Sequence, residues 1–333
     1  MKKSEALEKL KTAMRLENKS LDTQNQYMQW VSRYLDFVEK KHRDGTSEEK
    51  FSAFIENLVN RNPQPSLSNQ KQGYWAMKYF YKSVFGLDMK NVRCPSGKRV
   101  QRLFSILTRD QIRSLIGSLP DEYKLIAKTL YGTGMRIGEC LSLRVKDINF
   151  ENGLIYIQEG KGDKPREVDL PPMLVEAYRK QLDYAKHIHE YDRSNNANGV
   201  YISRLYAKKN PSAAKSWEWF WVFPNQNIGK DPMDGVERRH HVYDFSVQKA
   251  FREARKSAKL PIYTIPHILR HCHATHYLEE VLRGLPNIPN IEDFAYDLLR
   301  KKFGHIDRET TKRYVHLAMP KNTIVNYTPL ADL

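Results

Sequence analysis

The chain has 333 residues, with 55 lysines and arginines against 39 aspartates and glutamates, and so a formal net charge of +16. That excess exceeds what solubility needs and points to a polyanionic partner, nucleic acid first. Three scattered cysteines exclude a disulfide framework. No apolar run reaches the roughly eighteen residues of a membrane span, and Met1-Lys2-Lys3-Ser4-Glu5 lacks the apolar stretch of a secretory signal. A reducing cytoplasm is therefore the expected setting, with no membrane partner.

The first part of the chain reads as helices. Leu7, Leu10 and Met14 recur at helical spacing. Tyr27, Trp30, Val31, Tyr34, Leu35 and Phe37 form the face of a second helix, and Phe51 to Val59 a third, stopped at Asn62-Pro63-Gln64-Pro65. A fourth runs from about Ser68 to Phe85, with Gly86 as its terminator. Lys71, Lys78 and Lys82 alternate with aromatics along it. Such a unit suits lying across a duplex with its cations on phosphates, although a packing bundle with a solvated basic face fits the same residues. We expect 1–87 to be this helical unit, 88–106 a basic linker and 107–333 a second domain.

In that second domain, Thr108-x-x-Gln111 is a capping box opening a helix, and 122–131 gives another. Gly132-Thr133-Gly134 permits a tight turn that sets Arg136 at the start of a new helix. There a guanidinium and free backbone N–H groups can face an anion. The glycine spacing does not suit a dinucleotide loop, because a helix precedes it. Residues 148–157 alternate about an Asn152-Gly153 turn and 166–170 give the next strand, so a small antiparallel sheet is expected. Lys161 lies in the turn between them, flanked by Gly160 and Gly162. An ammonium there can reach a leaving oxygen; a solubilising turn lysine is the plain alternative.

Residues 171–189 read as a helix, and 190–235 as irregular chain with Trp217 to Phe223 partly buried. Arg238, Arg239, His240 and His241 then form a basic run before a helix over 243–259. His267-x-x-Arg270 opens a further helix with both side chains on one face, placed to grip one phosphate. His267 and His271, four apart, raise zinc, yet no partner pattern accompanies them. Last, Tyr314 follows His305 by nine positions among Lys302, Arg308, Lys312 and Arg313. A phenol ionises near ~10. It becomes a useful nucleophile where cations hold developing charge and a neighbour manages the proton.

In this order, Arg136, Lys161, His267, Arg270, His305 and Tyr314 resemble the catalytic set of the tyrosine recombinase (phage integrase) family, over about residues 107–318. The resemblance implies a mainly α fold with a small antiparallel β-sheet: a helical N-terminal core-binding domain, then an α+β catalytic domain. It implies that Tyr314 attacks a scissile DNA phosphate to give a 3′-phosphotyrosyl link. Arg136 and Arg270 would hold the non-bridging oxygens, His267 and His305 would add hydrogen bonds and help move the tyrosine proton, and Lys161 would protonate the leaving 5′-oxygen. Glu139 would orient Arg136. No cofactor or metal is implied, because the bond energy stays in the protein–DNA link. Four protomers would form a synaptic tetramer, with the tail 315–333 reaching a neighbour.

Within the family, the chain looks most like an integron integrase. The extra element at about 190–242, ending in Arg238-Arg239-His240-His241, and the ending Thr328-Pro329-Leu330-Ala331-Asp332-Leu333 carry that likeness. It implies folded single-stranded sites whose extrahelical bases are met by this element, Trp219 included. A phage, transposon or chromosome-dimer recombinase on duplex sites and a non-catalytic DNA-binding protein are the alternatives. Two departures stand out: a long spacing between Arg270 and His305, with Arg283 to Asn290 as an inserted loop, and Phe303 in place of a more frequent leucine.

Overall fold

A computed structural model describes residues 2–17, 19–42, 44–97, 106–158, 165–231, 234–284, 290–303 and 308–318. The chain divides into two compact units, Met1–Leu103 and Phe104–Leu333.

The first unit is built from α1 (Lys3–Leu16), α2 (Leu21–Lys41), α3 (Ser47–Val59) and α4 (Leu67–Phe85). Side chains set the helix starts: Ser20 and Ser66 accept from the backbone N–H three residues on, and Thr46 and Glu49 form a reciprocal capping box. Gly86 ends α4 in the left-handed region, φ 69°. The core gathers Leu10, Met14, Trp30, Val31, Phe51, Phe54, Met77 and Phe80, and the hydroxyls of Tyr34 and Tyr81 satisfy each other inside it. Gly73 lets α4 come close: a Cβ there would meet Leu58 at 3.1 Å and Trp30 at 3.3 Å. On the outer face of α4, Lys71, Trp75 and Lys82 are exposed and Lys78 is half-buried. Their spacing puts all four on one stripe, and the Lys78 ammonium sits 5.8 Å from the Trp75 ring centre.

The second unit opens with α5 (Arg109–Gly117), α6 (Asp121–Thr133) and the short α7 (Ile137–Leu141). Strands β1 (Ile148–Asn149), β2 (Leu154–Ile157) and β3 (Arg166–Asp169) form an antiparallel sheet in that order. The β2–β3 register pairs Leu154 with Asp169 and Ile157 with Arg166. Then come α8 (Val175–Ser194), α9 (Arg204–Lys209), the antiparallel pair β4 (Pro224–Lys230) and β5 (Glu237–His241), α10 (Asp244–Ser257), α11 (Pro266–Gly284), α12 (Ile291–Phe303) and α13 (Arg308–Ala318). One core joins α5, α6, α7, the first sheet, α10 and the first turns of α11. A second packs α11, α12 and α13 around Leu278, Leu299, Phe303, Tyr314 and Val315. The mainly helical architecture with small antiparallel sheets is the one expected.

The 190–235 stretch departs from the irregular chain expected. It holds the end of α8, α9 and the strand β4, and the basic run Glu237–His241 is the partner strand β5. Arg144 organises this region. Its guanidinium donates to the carbonyls of Trp219 and Tyr201, both at 2.8 Å, and lies 3.1 Å from the centre of the Trp221 ring. The lengthened connection at 283–290 joins two helices, α11 and α12, with 285–289 outside the described residues.

Candidate active site

The turn between α6 and α7 makes the first half of the site. Gly134 adopts φ 69° and caps α6, and Arg136 becomes the N-cap of α7. The carboxylate of Glu139 accepts from the Arg136 backbone N–H at 2.7 Å and from its Nη1 at 2.9 Å. From β3, Arg166 donates to both oxygens of the same carboxylate, at 3.0 and 2.7 Å. Burial pushes the Glu139 acid up, but hydrogen bonds and charge from Arg166 and Arg136 win, and it lies below the usual carboxylate range. The Arg166 side chain is 9% exposed, the Arg136 side chain 35%. Arg166 therefore fixes the carboxylate, while Arg136 stays half-exposed.

Helix α11 makes the second half. Arg270 is buried, 6% exposed. It donates Nη1 to the carbonyl of Gly134 at 2.7 Å and Nη2 to that of Phe303 at 3.0 Å. Burial first, and then the charge of Arg136, brings its pKa down to about 10, with Glu139 opposing, Arg166 adding and Tyr314 opposing. Those named influences put two further arginines, a carboxylate and the phenol in one electrostatic neighbourhood around Arg270. His267, three residues earlier, keeps an exposed edge. Its imidazole is nonetheless held below the ordinary histidine range, by surrounding packing first and then by Arg270 and Arg136. The edge-on ring of His271 lies 4.6 Å away.

Tyr314 comes from α13 and is 3% exposed. Its hydroxyl is 2.5 Å from Nδ1 of His271. Burial, then His267 and Arg270, lowers the His271 pKa to about 3, so the ring is neutral. The structure thus brings Arg136, His267, Arg270 and Tyr314 together. Lys161 and His305 lie outside the described residues, as does the tail 319–333. His271 and Arg166 were not singled out for this chemistry from sequence. His271 stood only as a metal candidate, and its contact with Tyr314 spans 43 positions. His273 and His276 are occupied as well: His273 donates to the carbonyl of Tyr131 at 2.6 Å, and His276 pairs with the Tyr131 hydroxyl at 2.9 Å. Among the described residues no group of three or more histidine, cysteine, aspartate or glutamate side chains is arranged to hold a metal ion.

The residues expected at DNA separate into two kinds. Lys71, Lys78 and Lys82 share the stripe on α4. Arg239 requires a correction: it is 4% exposed. Its guanidinium pairs with buried Asp192 through Nε at 2.9 Å and through Nη2, and Nη1 donates to the Asn225 and Gln226 carbonyls. It is a bolt beneath β4 and β5. Arg238 pairs with Asp234 at 2.9 Å. His240 stacks on Tyr243 with rings 5.0 Å apart, and burial lowers the His241 pKa to about 3. Trp219 is half-buried beneath the Lys146 ammonium, 3.4 Å from its ring centre, and beside Tyr206 at 4.6 Å. With Tyr156, Tyr201 and Tyr206 it lines a cavity of about 510 Å³ whose wall also includes Glu139.

Residues 105–321 match the model of the phage integrase family, and 6–91 that of the phage integrase N-terminal SAM-like domain. The chain belongs to the phage integrase family. An integrase/recombinase of Escherichia coli is 36% identical over 93% of this chain and 89% of its own length. The tyrosine recombinase XerA of Pyrococcus furiosus is 26% identical over 95% and 90%. Two solved structures share the fold: XerH site-specific recombinase bound to its difH substrate (TM-score 0.59, 19% identity, 95% of this chain and 82% of that one) and a lambda integrase dimer on a core site (TM-score 0.55, 14% identity, 92% and 95%). At the level the family supports, this tyrosine recombinase is an enzyme of site-specific DNA recombination. Among its described residues no helix is long and apolar enough to cross a membrane.

Proposed function

We propose that this recombinase cuts and rejoins DNA through a 3′-phosphotyrosyl link at Tyr314, and that it is of the integron type, acting on folded single-stranded sites. The observation that carries the chemistry is that the Arg270 guanidinium feels both the charge of Arg136 and the Tyr314 phenol. Arg136 and Arg270 donate to the non-bridging oxygens, where charge grows as the phosphate becomes five-coordinate. The Tyr314 oxygen forms a bond to phosphorus and the bond to the 5′-oxygen breaks. Lys161 supplies the proton to that oxygen, with His267 and His305 as further hydrogen-bond donors. A 5′-hydroxyl of a second strand reverses the attack, so neither ATP nor a metal enters the scheme.

The integron assignment draws on the aromatic cavity. Tyr156, Tyr201, Tyr206 and Trp219 line a space suited to an unpaired base, with Lys146 at hand for its phosphate. On this reading the stripe on α4 tracks duplex backbone, and four protomers synapse two sites. A second reading, set beside the likeness to the tyrosine recombinase XerA, is a recombinase of duplex sites. A pool of nicked DNA carrying a random stretch, presented both as hairpins and as duplexes, distinguishes them. Covalent adducts are isolated, mapped to a residue and sequenced. Adducts at Tyr314 from hairpins with unpaired bases support the first reading, and adducts from duplexes alone the second. Adducts on another residue, or none, overturn the assignment of Tyr314.

A further inference from the structure

We propose that His271 is the group that receives the Tyr314 proton during strand cleavage. The inference rests on Tyr314 being the nucleophile. The contact itself is direct: Oη and Nδ1 are 2.5 Å apart, between helices that pack along their length in the core of α11, α12 and α13. His267, the histidine whose place in the sequence motif suggested a proton role, has the edge of its ring against His271.

The electrostatics fit a ring that is neutral at rest. Among the described residues, the charged and titratable groups that act on it include His267 and Arg270 on α11 and Tyr314 on α13. The first two, together with burial, keep His271 neutral in the DNA-free protein. A neutral imidazole has one nitrogen free to accept, and the Tyr314 hydroxyl can then donate to Nδ1. A scissile phosphate arriving between Arg136 and Arg270 brings negative charge beside these cations. It offsets the repulsion that keeps the imidazole from protonating, so the affinity of His271 for a proton rises when the phenol must lose one. The step balances: the phenol proton moves to Nδ1, Oη bonds to phosphorus, the P–O5′ bond breaks, and the 5′-oxygen takes a proton from an acid on its own side. In the reverse step the imidazolium returns its proton to Tyr314.

Two measurements test this on the full chain. In protein labelled with ¹⁵N-histidine, the His271 signals are assigned by their loss in His271→Gln. The expected result is an unprotonated Nδ1 whose shift changes in Tyr314→Phe. A protonated Nδ1, or no change in Tyr314→Phe, overturns the proposal. Adduct formation is then followed on the random nicked pool. His271→Gln keeps an acceptor that holds the phenol but takes no proton. It should melt like the parent, yet form adducts about 10²-fold or more slowly. His271→Ala should be equally slow and recover partly with added imidazole, a response that loss of packing does not give. Parent-like rates in His271→Gln reduce the residue to orientation and sink the idea. If the parent forms no adduct on any DNA, the functional reading fails instead, and the nitrogen shifts still decide whether Nδ1 accepts.

Discussion

Arg166, on β3, places both terminal nitrogens of its guanidinium on Glu139, which in turn holds the backbone and side chain of Arg136. The carboxylate is 3% exposed and shared by two cations. Removing one of them is therefore a different operation from removing a surface charge. Arg166→Ala should cost about 3–5 kcal/mol, seen as a lower urea midpoint. Arg136→Lys, which keeps the charge at a half-exposed position, should leave that midpoint nearly unchanged and slow adduct formation about 10²–10³-fold.

Acid should weaken the fold before it weakens a typical helical domain. Burial lowers His241 and His271 to about 3 and His273 and His276 to about 4. Between those values and the unfolded histidine pKa of about 6.5, the unfolded chain binds protons that the folded chain refuses, so stability falls as pH falls. Glu139 acts in the same direction lower down. Its folded pKa is depressed, so its contribution is full above about 4.3 and is lost as pH drops through the folded value. Urea midpoints measured from pH 7 to pH 4.5 should decline steadily; a flat profile would contradict this burial.

Arg239 and the lysines of α4 should respond oppositely. Asp192→Ala leaves the Arg239 cation buried without its carboxylate and should destabilise by about 3–5 kcal/mol. Lys71→Ala and Lys82→Ala should leave stability within about 0.5 kcal/mol. Each should reduce the slope of log affinity against log salt by about 0.9 for DNA binding. Binding isotherms at several salt concentrations, beside melting curves, separate the two kinds of residue.

Trp219→Ala should weaken binding to hairpins with unpaired bases by about 1–3 kcal/mol and spare plain duplexes. Equal losses on both would remove the aromatic cavity from the recognition of unpaired bases.

Gly134→Ala should be among the most damaging small changes. A Cβ there meets Phe303 at 2.2 Å and His273 at 2.9 Å, in a backbone region that alanine rarely adopts. A loss of at least about 1–3 kcal/mol is expected in the melting curve.

The helices were legible in the sequence because their signals are local. The Thr108–Gln111 capping box, the turn at Gly134 and the apolar spacing of α3 and α4 all act within a few residues. The strand β4, Pro-Asn-Gln-Asn-Ile-Gly-Lys, shows no alternation to read. It is held by pairing with β5 and by Arg239 on two of its carbonyls. The same distance effect divides the site. The order of Arg136, His267, Arg270 and Tyr314 was readable. The reach of Arg166 to Glu139 and of His271 to Tyr314 was not, since each depends on how separate segments pack. Arg239 was misread for the same reason: its partner, Asp192, is 47 positions away.

Arg270 is anchored by two main-chain oxygens, those of Gly134 and Phe303. An oxygen of the backbone is common to every amino acid, so these two hydrogen bonds are inherited from the path of the chain and not from the identity of residues 134 and 303. A leucine at 303 would offer the same acceptor as phenylalanine. That change would keep the main-chain anchor of the cation but would remove the aromatic ring that lies 5.0 Å from it.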